Sequence, residues 1–410
     1  MYQFSHRSLE LQSRLQAFMD EHIFPNEDTY HQQLANGENR WAPVPLMDEL
    51  KAKAREAGLW NMFIPPGLSQ YADHDGLSNF DYAPLAEQMG HVLWSPEVFN
   101  CNAPDTGNME VFMKYGTEAQ QQEWLTPLLN GEIRSAYAMT EPQVACSDAT
   151  NVELRIERDG DEWVLNGRKW FTSNAMHTRT KIFIVMGKSD PDNPSRHQQQ
   201  SQVLVPRDTP GVEITRALTT LGYDDAPLGH AEMRFTDVRV PLDNMLLGEG
   251  RGFEIAQGRL GPGRIHHCMR LIGIAQRSLE LACARSVSRT TFGRTLDRHQ
   301  SVREDISKCF SEIEMARLLV LKTAARMDEV GPKAAMDLIA ASKTSVPIMM
   351  QQVIDRCMQI HGAGGLTGDY CMAEGFNYAR WCRQADGPDQ VHQMALGKML
   401  IKRYTGEDAA

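Results

Sequence analysis

Apolar positions recur at helical spacing near the start of the chain, and Pro25 ends this first pattern. Its apolar residues are Leu9, Leu11, Leu15, Phe18 and Met19. Further helices are predicted after Pro43–Pro45, over Tyr82–Val92 and over Glu118–Asn130, where Gly131 closes the last one. The pattern therefore predicts a helical N-terminal domain over residues 1–134.

Near residue 135 the pattern becomes short, apolar and rich in aromatic and β-branched residues. Within Trp163–Phe171, the Asn166-Gly167 pair predicts a tight hairpin. Further strands are predicted at Ile182–Met186, Val203–Val205, Val212–Ile214 and Ala231–Val240. The polar stretch Ser189–Gln202 is predicted to be an exposed loop. Together these segments predict a β-barrel-like middle domain over residues 135–248.

Helical spacing returns at Gly252 and continues to the end. The segment Arg259–His267 is predicted to open a helix, and a long amphipathic helix is predicted to stop at Gly331-Pro332. The next helix is predicted from Lys333 toward Ile360, with a kink at Pro347. Two helices of about 30 residues each span about 40 Å, which is typical of a bundle. The predicted fold is mixed α and β, mostly α, with a C-terminal four-helix bundle over residues 249–410.

Composition narrows the class of protein. At 410 residues the chain is too long for one ordinary core. Its 53 acidic and 42 basic residues give a net charge of −11, and the absence of a basic stripe argues against a nucleic-acid partner. No apolar run reaches the roughly 18 residues of a membrane span. The Met1–Arg7 segment lacks an apolar core, so no targeting segment is expected.

Cysteine and histidine spacing argues against a metal site. None of the eight cysteines forms a C-x-x-C pair, which favours reduced thiols in a cytoplasmic protein. His266 and His267 are adjacent, so on a helix they point about 100° apart and are poor co-ligands. No G-x-S-x-G motif occurs, which disfavours a serine hydrolase.

Two segments of the middle domain could hold a flat, phosphorylated ligand. Ala136–Asp148 is rich in small and hydroxyl residues, whose N–H and O–H groups can bind a heterocycle or phosphates. An ordinary turn entering a strand explains it equally well. Lys169–Asn174 places an aromatic ring before two hydroxyl residues, which suits a flat ligand. The alternative there is an amphipathic strand whose aromatics lie in the core.

Two further segments lie in the helical C-terminal part. Arg289–Gln300 carries three arginines, and Arg289 could bind a pyrophosphate with both guanidinium nitrogens. A basic loop in water is the alternative. Gln359–Gly368 is glycine-rich, so its backbone could approach a ligand closely. Glycine termination of a helix explains part of this segment without a ligand.

Taken in order, these segments resemble the acyl-CoA dehydrogenase family over nearly the whole chain. The family's Tyr-x-x-Thr-Glu-Pro segment is matched by Tyr137–Pro142, and its lysine-aromatic-hydroxyl strand by Lys169–Asn174. The matches further along the chain are Arg289, Phe292, Gly293, His299, Gln300, Gln359 and Gly362.

The resemblance implies FAD between the middle domain and the bundle. The residues implied at the flavin are Tyr137, Met139, Thr140, Phe171, Thr172 and Ser173. Those implied to reach FAD from a neighbouring subunit are Arg289, Phe292, Gln300, Gln359 and Gly362, which implies a homodimer or homotetramer. Pro388, Asp389 and Gln390 also fall at FAD-contacting positions. Ser147, Gly263, Arg264 and Gly387 match positions near the acyl-CoA.

Asp386 is the candidate catalytic residue, because it stands where the family carries its glutamate base. Asp386-Gly387-Pro388 replaces Glu-Gly-Thr, and the missing methylene requires the backbone or the substrate to move by about 1 Å. Some relatives place a glutamate just before the arginine near 264, but here that residue is Gly263. The alternative role for Asp386 is the N-cap of a helix over Gln390–Arg403.

The implied activity is α,β-desaturation of an acyl-CoA. Asp386 would remove the α proton while flavin N5 accepts a hydride, and a closed apolar site is expected to raise the pKa of this carboxyl. The implied electron acceptor is an electron-transfer flavoprotein. The Asp-Gly-Pro-Asp form most resembles long-chain-type and 4-hydroxyacyl-CoA-related members. The alternatives are a nitroalkane-oxidase-like flavoenzyme with an aspartate base, and a non-catalytic flavin-binding or nucleic-acid-binding member.

Overall fold

The N-terminal part of the chain is helical. The computed structural model describes residues 3–407, with only the backbone of 260–262. The first helix begins where the Ser5 side chain accepts a hydrogen bond from the N–H of Ser8, and it continues past Phe18 as a short π-helix, Met19–Ile23. The α-helices of this part are α1 (His6–Phe18), α2 (Glu27–Asn36), α3 (Pro45–Glu56), α4 (Asn79–Gly90), α5 (Ser95–Val98), α6 (Asp105–Tyr115), α7 (Glu118–Gln120) and α8 (Thr126–Leu129).

The middle part is a seven-stranded sheet in the order β1-β4-β2-β3-β7-β6, with β5 paired to β4. Its strands are β1 (Arg134–Ala138), β2 (Arg155–Asp159), β3 (Glu162–Ser173), β4 (Thr180–Lys188), β5 (Gln200–Pro206), β6 (Val212–Leu218) and β7 (His230–Pro241). β1 and β4 are parallel, whereas β3 pairs antiparallel with both β2 and β7. The curled sheet agrees with the barrel-like middle domain expected from the sequence.

Two local predictions in this part are wrong. Asn166-Gly167 lies inside the continuous strand β3, at an irregularity in its pairing with β7, and the β2–β3 turn is at Gly160 instead. Neighbouring strands on both sides override the turn preference of Asn-Gly. The exposed loop predicted over Ser189–Gln202 ends earlier, because Gln200–Gln202 is buried within β5.

The C-terminal part is a helical bundle. A small antiparallel pair, β8 (Thr290–Thr291) and β9 (Arg294–Thr295), separates its first two helices. Its helices are α9 (Gly252–Ser288), α10 (Gln300–Val330), α11 (Met336–His361), α12 (Met372–Cys382) and α13 (Asp389–Thr405). Arg259–His267 does not open a helix as predicted but lies well inside α9. Helix α11 is assigned as one helix through Pro347. Within residues 3–407, none of the helices combines the length and apolar character needed to cross a bilayer.

The N-terminal and C-terminal helices share one hydrophobic core. Leu15 and Leu85 from the first part belong to the same buried cluster as Ile272 and Ile313 from the bundle. Helices α4 and α9 cross closely, because a Cβ on Gly273 would lie 2.0 Å from the Glu87 carbonyl oxygen. A second cluster, which includes Phe183, fills the middle domain.

A buried polar network connects all three parts of the fold. The Asp105 carboxylate on α6 accepts from Arg134 Nε at 2.6 Å and from the Ser135 N–H at 2.7 Å, both on β1. It also accepts from Asn174 Nδ2, at the end of β3, at 3.2 Å. Asn108, one turn along α6, accepts from Arg259 Nε of α9 at 3.0 Å. The network links the start of β1 and the end of β3 to the bundle.

Candidate active site

The segments Tyr137–Pro142 and Lys169–Asn174 lie side by side. The Trp170 N–H donates to the Thr140 carbonyl at 3.0 Å, and Thr140 Oγ1 donates to the Trp170 carbonyl at 2.7 Å. Lys169 Nζ donates to the Met139 carbonyl and to Glu141 Oε1, each at 2.7 Å. Two of the four predicted ligand segments therefore form one surface.

The Lys169–Glu141 pair is structural. Both side chains are fully buried, and the Glu141 carboxylate also accepts from the N–H groups of Glu153 and Leu154. Burial lowers the pKa of Lys169, while the charge of Glu141 opposes that fall. The pair fixes the loop after β1 against β3, so the neighbouring backbone is held in one position.

A β-bulge interrupts β3 at Trp170 and Phe171, where two residues stand opposite one residue of β7. Phe171 has a φ of 48° and remains 38% exposed, so the alternative of an amphipathic strand with its aromatics in the core does not hold for this ring. The next side chain, Thr172, is fully buried, and its Oγ1 has no hydrogen-bond partner among the described residues. Ser173 Oγ lies 2.9 Å from His230 Nδ1. Thr172 pairs with the core residue Ala231 and faces the interior of the sheet, whereas Phe171 and Ser173 lie on the His230 side of the strand.

A row of aromatic rings connects this strand to helix α12. The Phe171 ring lies 6.1 Å from that of His230, which stacks on Trp381 with centroids 5.3 Å apart. Trp381 in turn stacks on Tyr378 at 5.8 Å. The row holds the end of β3 beside α12, and α12 leads directly into the turn that carries Asp386.

Asp386 lies in the turn between α12 and α13 with a φ of 55°, followed by Gly387 with a φ of 103°. Its carbonyl oxygen accepts from Arg264 Nε at 3.1 Å and lies 3.2 Å from His392 Nε2. Helix α13 begins at Asp389 with Pro388 at its N-cap, so the alternative role of Asp386 as a cap is wrong. The Asp386 side chain is 20% exposed, and its Oδ2 lies 3.8 Å from His267 Nε2.

Positive charge dominates the surroundings of the Asp386 carboxylate. Burial alone raises the pKa of this carboxyl, but the charges around it outweigh burial and hold the pKa below its ordinary value. The expectation of a raised pKa is therefore wrong, because it considered only the apolar surroundings of Asp386 and not the cations near it. The groups that lower the pKa are His267, Arg259, Lys343 and Arg264.

Burial and the charge of Arg270 lower the pKa of His267 to about 3, so its imidazole is neutral at neutral pH. The permanent cations are consequently what keep Asp386 ionised there. Lys343 is itself buried and donates to the Cys382 carbonyl. Asp386 is thus a half-buried carboxylate that is already in its proton-accepting form.

Comparison with known proteins assigns this arrangement to a family. Models of the N-terminal, middle and C-terminal acyl-CoA dehydrogenase domains match residues 5–132, 136–238 and 250–401. The chain belongs to the acyl-CoA dehydrogenase family. The bundle and sheet described above are accordingly the acyl-CoA dehydrogenase fold.

Individual relatives agree with the family assignment. The chain is 51% identical over 397 residues to acyl-CoA dehydrogenase family member 10 of Mus musculus, covering 97% of this chain but 37% of that protein. It is 47% identical over 412 residues to a Mycobacterium tuberculosis protein named "Probable acyl-CoA dehydrogenase FadE2", covering 99% and 98%. A solved acyl-CoA dehydrogenase homologue from Mycobacterium abscessus is 47% identical with a TM-score of 0.94, covering 98% and 100%. The chain spans about half or less of the plant and animal relatives it matches.

The other residues matched to the acyl-CoA dehydrogenase motifs lie in two places. At the α12–α13 turn, Asp389 is buried, with one oxygen accepting from Arg383 Nε at 2.7 Å and the other lacking a partner among the described residues. Pro388 is half-buried beside it, and Gln390 is exposed. Five matched residues are exposed on the bundle, namely Arg289, Phe292, Gln300, Gln359 and Gly362.

The positions matched to acyl-CoA contacts lie on three elements, namely α9, the α12–α13 turn and a loop of the middle domain. Arg264 is buried against the Asp386 carbonyl, and Gly387 is so close to His392 that a Cβ there would lie 2.9 Å from Nε2. Around Gly263 there is open space for a Cβ. Ser147 is exposed on a middle-domain loop. A cavity of about 500 Å³ opens beside that loop and is lined by Val144, Ala145, Thr150, Asn151, Glu153, Lys188, Arg196 and Gln199.

Sequence reasoning missed several residues around Asp386. Arg259 lies over the Tyr137 ring at 4.2 Å, and Gln202 Nε2 donates to the Tyr137 hydroxyl at 2.7 Å. Burial raises the pKa of Tyr137 to about 12, which keeps the phenol neutral. Arg259 and His267 are eight residues apart on α9, about 80° around the helix axis, so their spacing gave no clear signal.

Proposed function

We propose that this protein is an FAD-dependent acyl-CoA dehydrogenase that forms an α,β double bond in an acyl-CoA thioester. The observation that carries the proposal is the Asp386 carboxylate, which is half-buried, ionised and held in the turn that meets α9. Its position in the chain matches the base of the family. Because Asp386 stays unprotonated, it can accept the α proton without first losing one of its own.

FAD fits the surface formed by β3 and the loop after β1. The exposed ring of Phe171 and the half-buried Ser173 hydroxyl both contact His230 on one face of β3, where they suit the flat ring and a polar edge of the flavin. Met139 and Thr140, in the loop after β1, bond to β3, and Tyr137 precedes them on β1. Bound FAD would supply the hydride acceptor for the β carbon. The chain itself supplies the base and the rigid strand.

The exposed residues of the bundle support a site shared between copies of the chain. Phe292 is 95% exposed at the tip of the β8–β9 hairpin, and Arg289 at its base is also exposed. An aromatic ring and a guanidinium presented together suit the adenine and pyrophosphate of FAD held by another subunit. We include a homodimer or homotetramer in the proposal, in which the exposed residues Gln300, Gln359 and Gly362 also contribute to the shared site, and an electron-transfer flavoprotein as electron acceptor.

The deciding experiment is anaerobic bleaching of the FAD-loaded protein by a panel of acyl-CoAs that differ in chain length, branching and 4-substitution. The unaltered protein should bleach with at least one of them. Asp386→Asn should keep its FAD and lose about 10²- to 10⁴-fold in bleaching rate, because the amide cannot accept the proton.

Asp355→Asn, exposed on α11, is the matched control and should bleach normally. Unimpaired bleaching by Asp386→Asn would remove Asp386 from the catalytic role. The aspartate base also suits a nitroalkane oxidase, so the same preparations are tested in air. Hydrogen peroxide formed with nitroalkanes, and no bleaching with acyl-CoAs, would favour that second function.

A further inference from the structure

The hydrogen bonds around His267 define which of its ring nitrogens carries the proton. Nδ1 lies 2.9 Å from the Tyr378 hydroxyl and 3.3 Å from an Arg270 guanidinium nitrogen. A guanidinium only donates, so Nδ1 must act as the acceptor. The proton of the neutral ring is then on Nε2. Nε2 lies 3.8 Å from Asp386 Oδ2, which is longer than a hydrogen bond, so in this state its N–H acts on the carboxylate as a nearby dipole.

The surroundings hold the His267 ring in this orientation. Its ring packs edge-to-face with Trp381, with centroids 6.0 Å apart, and the residue as a whole is only 8% exposed. Arg270 is also buried and has a second donor on the Cys101 carbonyl at 3.3 Å. An arginine, a tyrosine and an indole therefore restrict both the rotation and the tautomer of the ring.

We infer that His267 is a positioning residue for Asp386, with its Nε2–H directed at the carboxylate by Arg270 and Tyr378. The inference rests on the proposed function for its kinetic consequence. A directed N–H stabilises the ionised carboxylate and favours one orientation of its oxygens. His267 is not a proton carrier, because its low pKa prevents it from taking the proton that Asp386 accepts.

Other charged and titratable groups also face Asp386. They come from every element packed around the turn and are Tyr137 of β1, Arg259, Arg264 and Cys268 of α9, Lys343 of α11, Cys382 of α12 and His392 of α13. The cations act on Asp386 at all accessible pH values. His267 differs from them because its contribution is a directed hydrogen, which a substitution can remove without changing the net charge.

Two substitutions separate the directed hydrogen from simple packing. In His267→Gln the amide nitrogen can reach the place of Nε2 and still donate to Asp386. In His267→Asn the shorter amide can satisfy Tyr378 and Arg270 but leaves Asp386 without this donor. The measurement is the second-order rate constant of anaerobic flavin reduction by an acyl-CoA, which reports ionisation of the free protein.

The unaltered protein and His267→Gln should keep a nearly constant rate from about pH 8 to about pH 5. When the series is extended to about pH 4, the acid side of the His267→Asn profile should lie roughly half to one pH unit higher than that of the other two proteins, because its Asp386 takes up a proton more readily while the cations still keep it ionised at neutral pH. Equal FAD content of the variants is the control for folding. If the two variants show the same pH profile, His267 only packs and the inference is overturned.

A second readout does not depend on activity. NMR of isotope-labelled histidine in the FAD-loaded protein, with the His267 signal identified by its loss in His267→Gln, should show a neutral ring protonated on Nε2 at neutral pH. A charged ring, or a proton on Nδ1, would overturn the inference. Failure of every acyl-CoA to bleach the unaltered protein would refute the proposed function instead, and the tautomer would still decide the role of His267.

Discussion

At the scale of single residues, burial changes the pKa of side chains in ways that the sequence does not show. Glu374 on α12 is the clearest case outside the active site. Burial, together with the neighbouring charges of Asp225 and Glu27, raises its pKa to about 7. Nothing in the sequence around Glu374 distinguishes it from a surface glutamate.

Glu374 should make the stability of the protein depend on pH. Its folded pKa of about 7 lies above the ordinary 4.5, so the folded state keeps a proton that the unfolded state loses. The stabilisation is complete below about pH 4.5 and is lost as the pH rises through about 7. Relative to the unaltered protein, Glu374→Gln should therefore gain at most about 3 kcal/mol over this interval.

Urea unfolding at a series of pH values measures this gain. Glu123→Gln, on an exposed position of the N-terminal part, is the control and should follow the unaltered protein at every pH. Parallel stability curves for Glu374→Gln and the unaltered protein would show that Glu374 is already ionised in the folded state.

At the scale of elements, the long helices were predictable and the local irregularities were not. Apolar spacing predicted α10 and α11, because each buries a continuous face. The hairpin at Asn166-Gly167 was wrong because β2 and β7 pair with both sides of β3. The predicted helix start at Arg259 was also wrong. Packing along the whole of α9 stabilises the helix by more than the low helix propensity of its glycine-rich segment destabilises it. Where tertiary contacts are dense, they override the local conformational preference of the residues.

The crossing of α4 and α9 gives a prediction at this scale. A Cβ on Gly273 would lie 2.0 Å from the Glu87 carbonyl, so Gly273→Ala should force the helices apart and cost about 1–3 kcal/mol. Arg270 is three residues away, so the bleaching rate should fall as well. Thermal and urea unfolding measure the first effect.

Gly397→Ala is the matched control, since it also lies inside a helix but has open space around its Cβ. There, the better helix propensity of alanine should stabilise the protein by about 0.5–1 kcal/mol. Equal effects of the two substitutions would mean that the α4–α9 contact yields easily.

At the scale of the whole molecule, the active site is built from distant parts of the chain. The motifs at Tyr137, Lys169 and Asp386 could be found in the sequence, because each carries an unusual local combination of residues. The residues around the Asp386 side chain could not be found in this way. His267 and Tyr378 are 111 residues apart and meet only when α9 and α12 pack together. Their side chains are ordinary for buried helical positions, so no local signal separated them from core residues.

Asp105 should link the stability of all three parts. Its carboxylate serves Arg134, Ser135 and Asn174 at once, and a neutral amide would leave part of the Arg134 charge without its partner. Asp105→Asn should therefore cost about 2–3 kcal/mol in urea unfolding and lower the transition as a single step. Asp75→Asn, whose partner Arg7 is at the surface, should leave the transition in place. A loss confined to the middle domain would contradict this.

The two donors on the Asp386 carbonyl also bear on which thioesters the protein can use. Arg264 on α9 and His392 on α13 both hydrogen-bond to that oxygen. These bonds fix the main chain at Asp386, so it cannot shift toward the substrate to compensate for the short side chain. If Asp386 is the base, the missing methylene has to be recovered by the depth at which the acyl group seats. Acyl-CoAs with a bulky substituent next to the thioester could not enter that far, and they would turn over slowly even when they bind well.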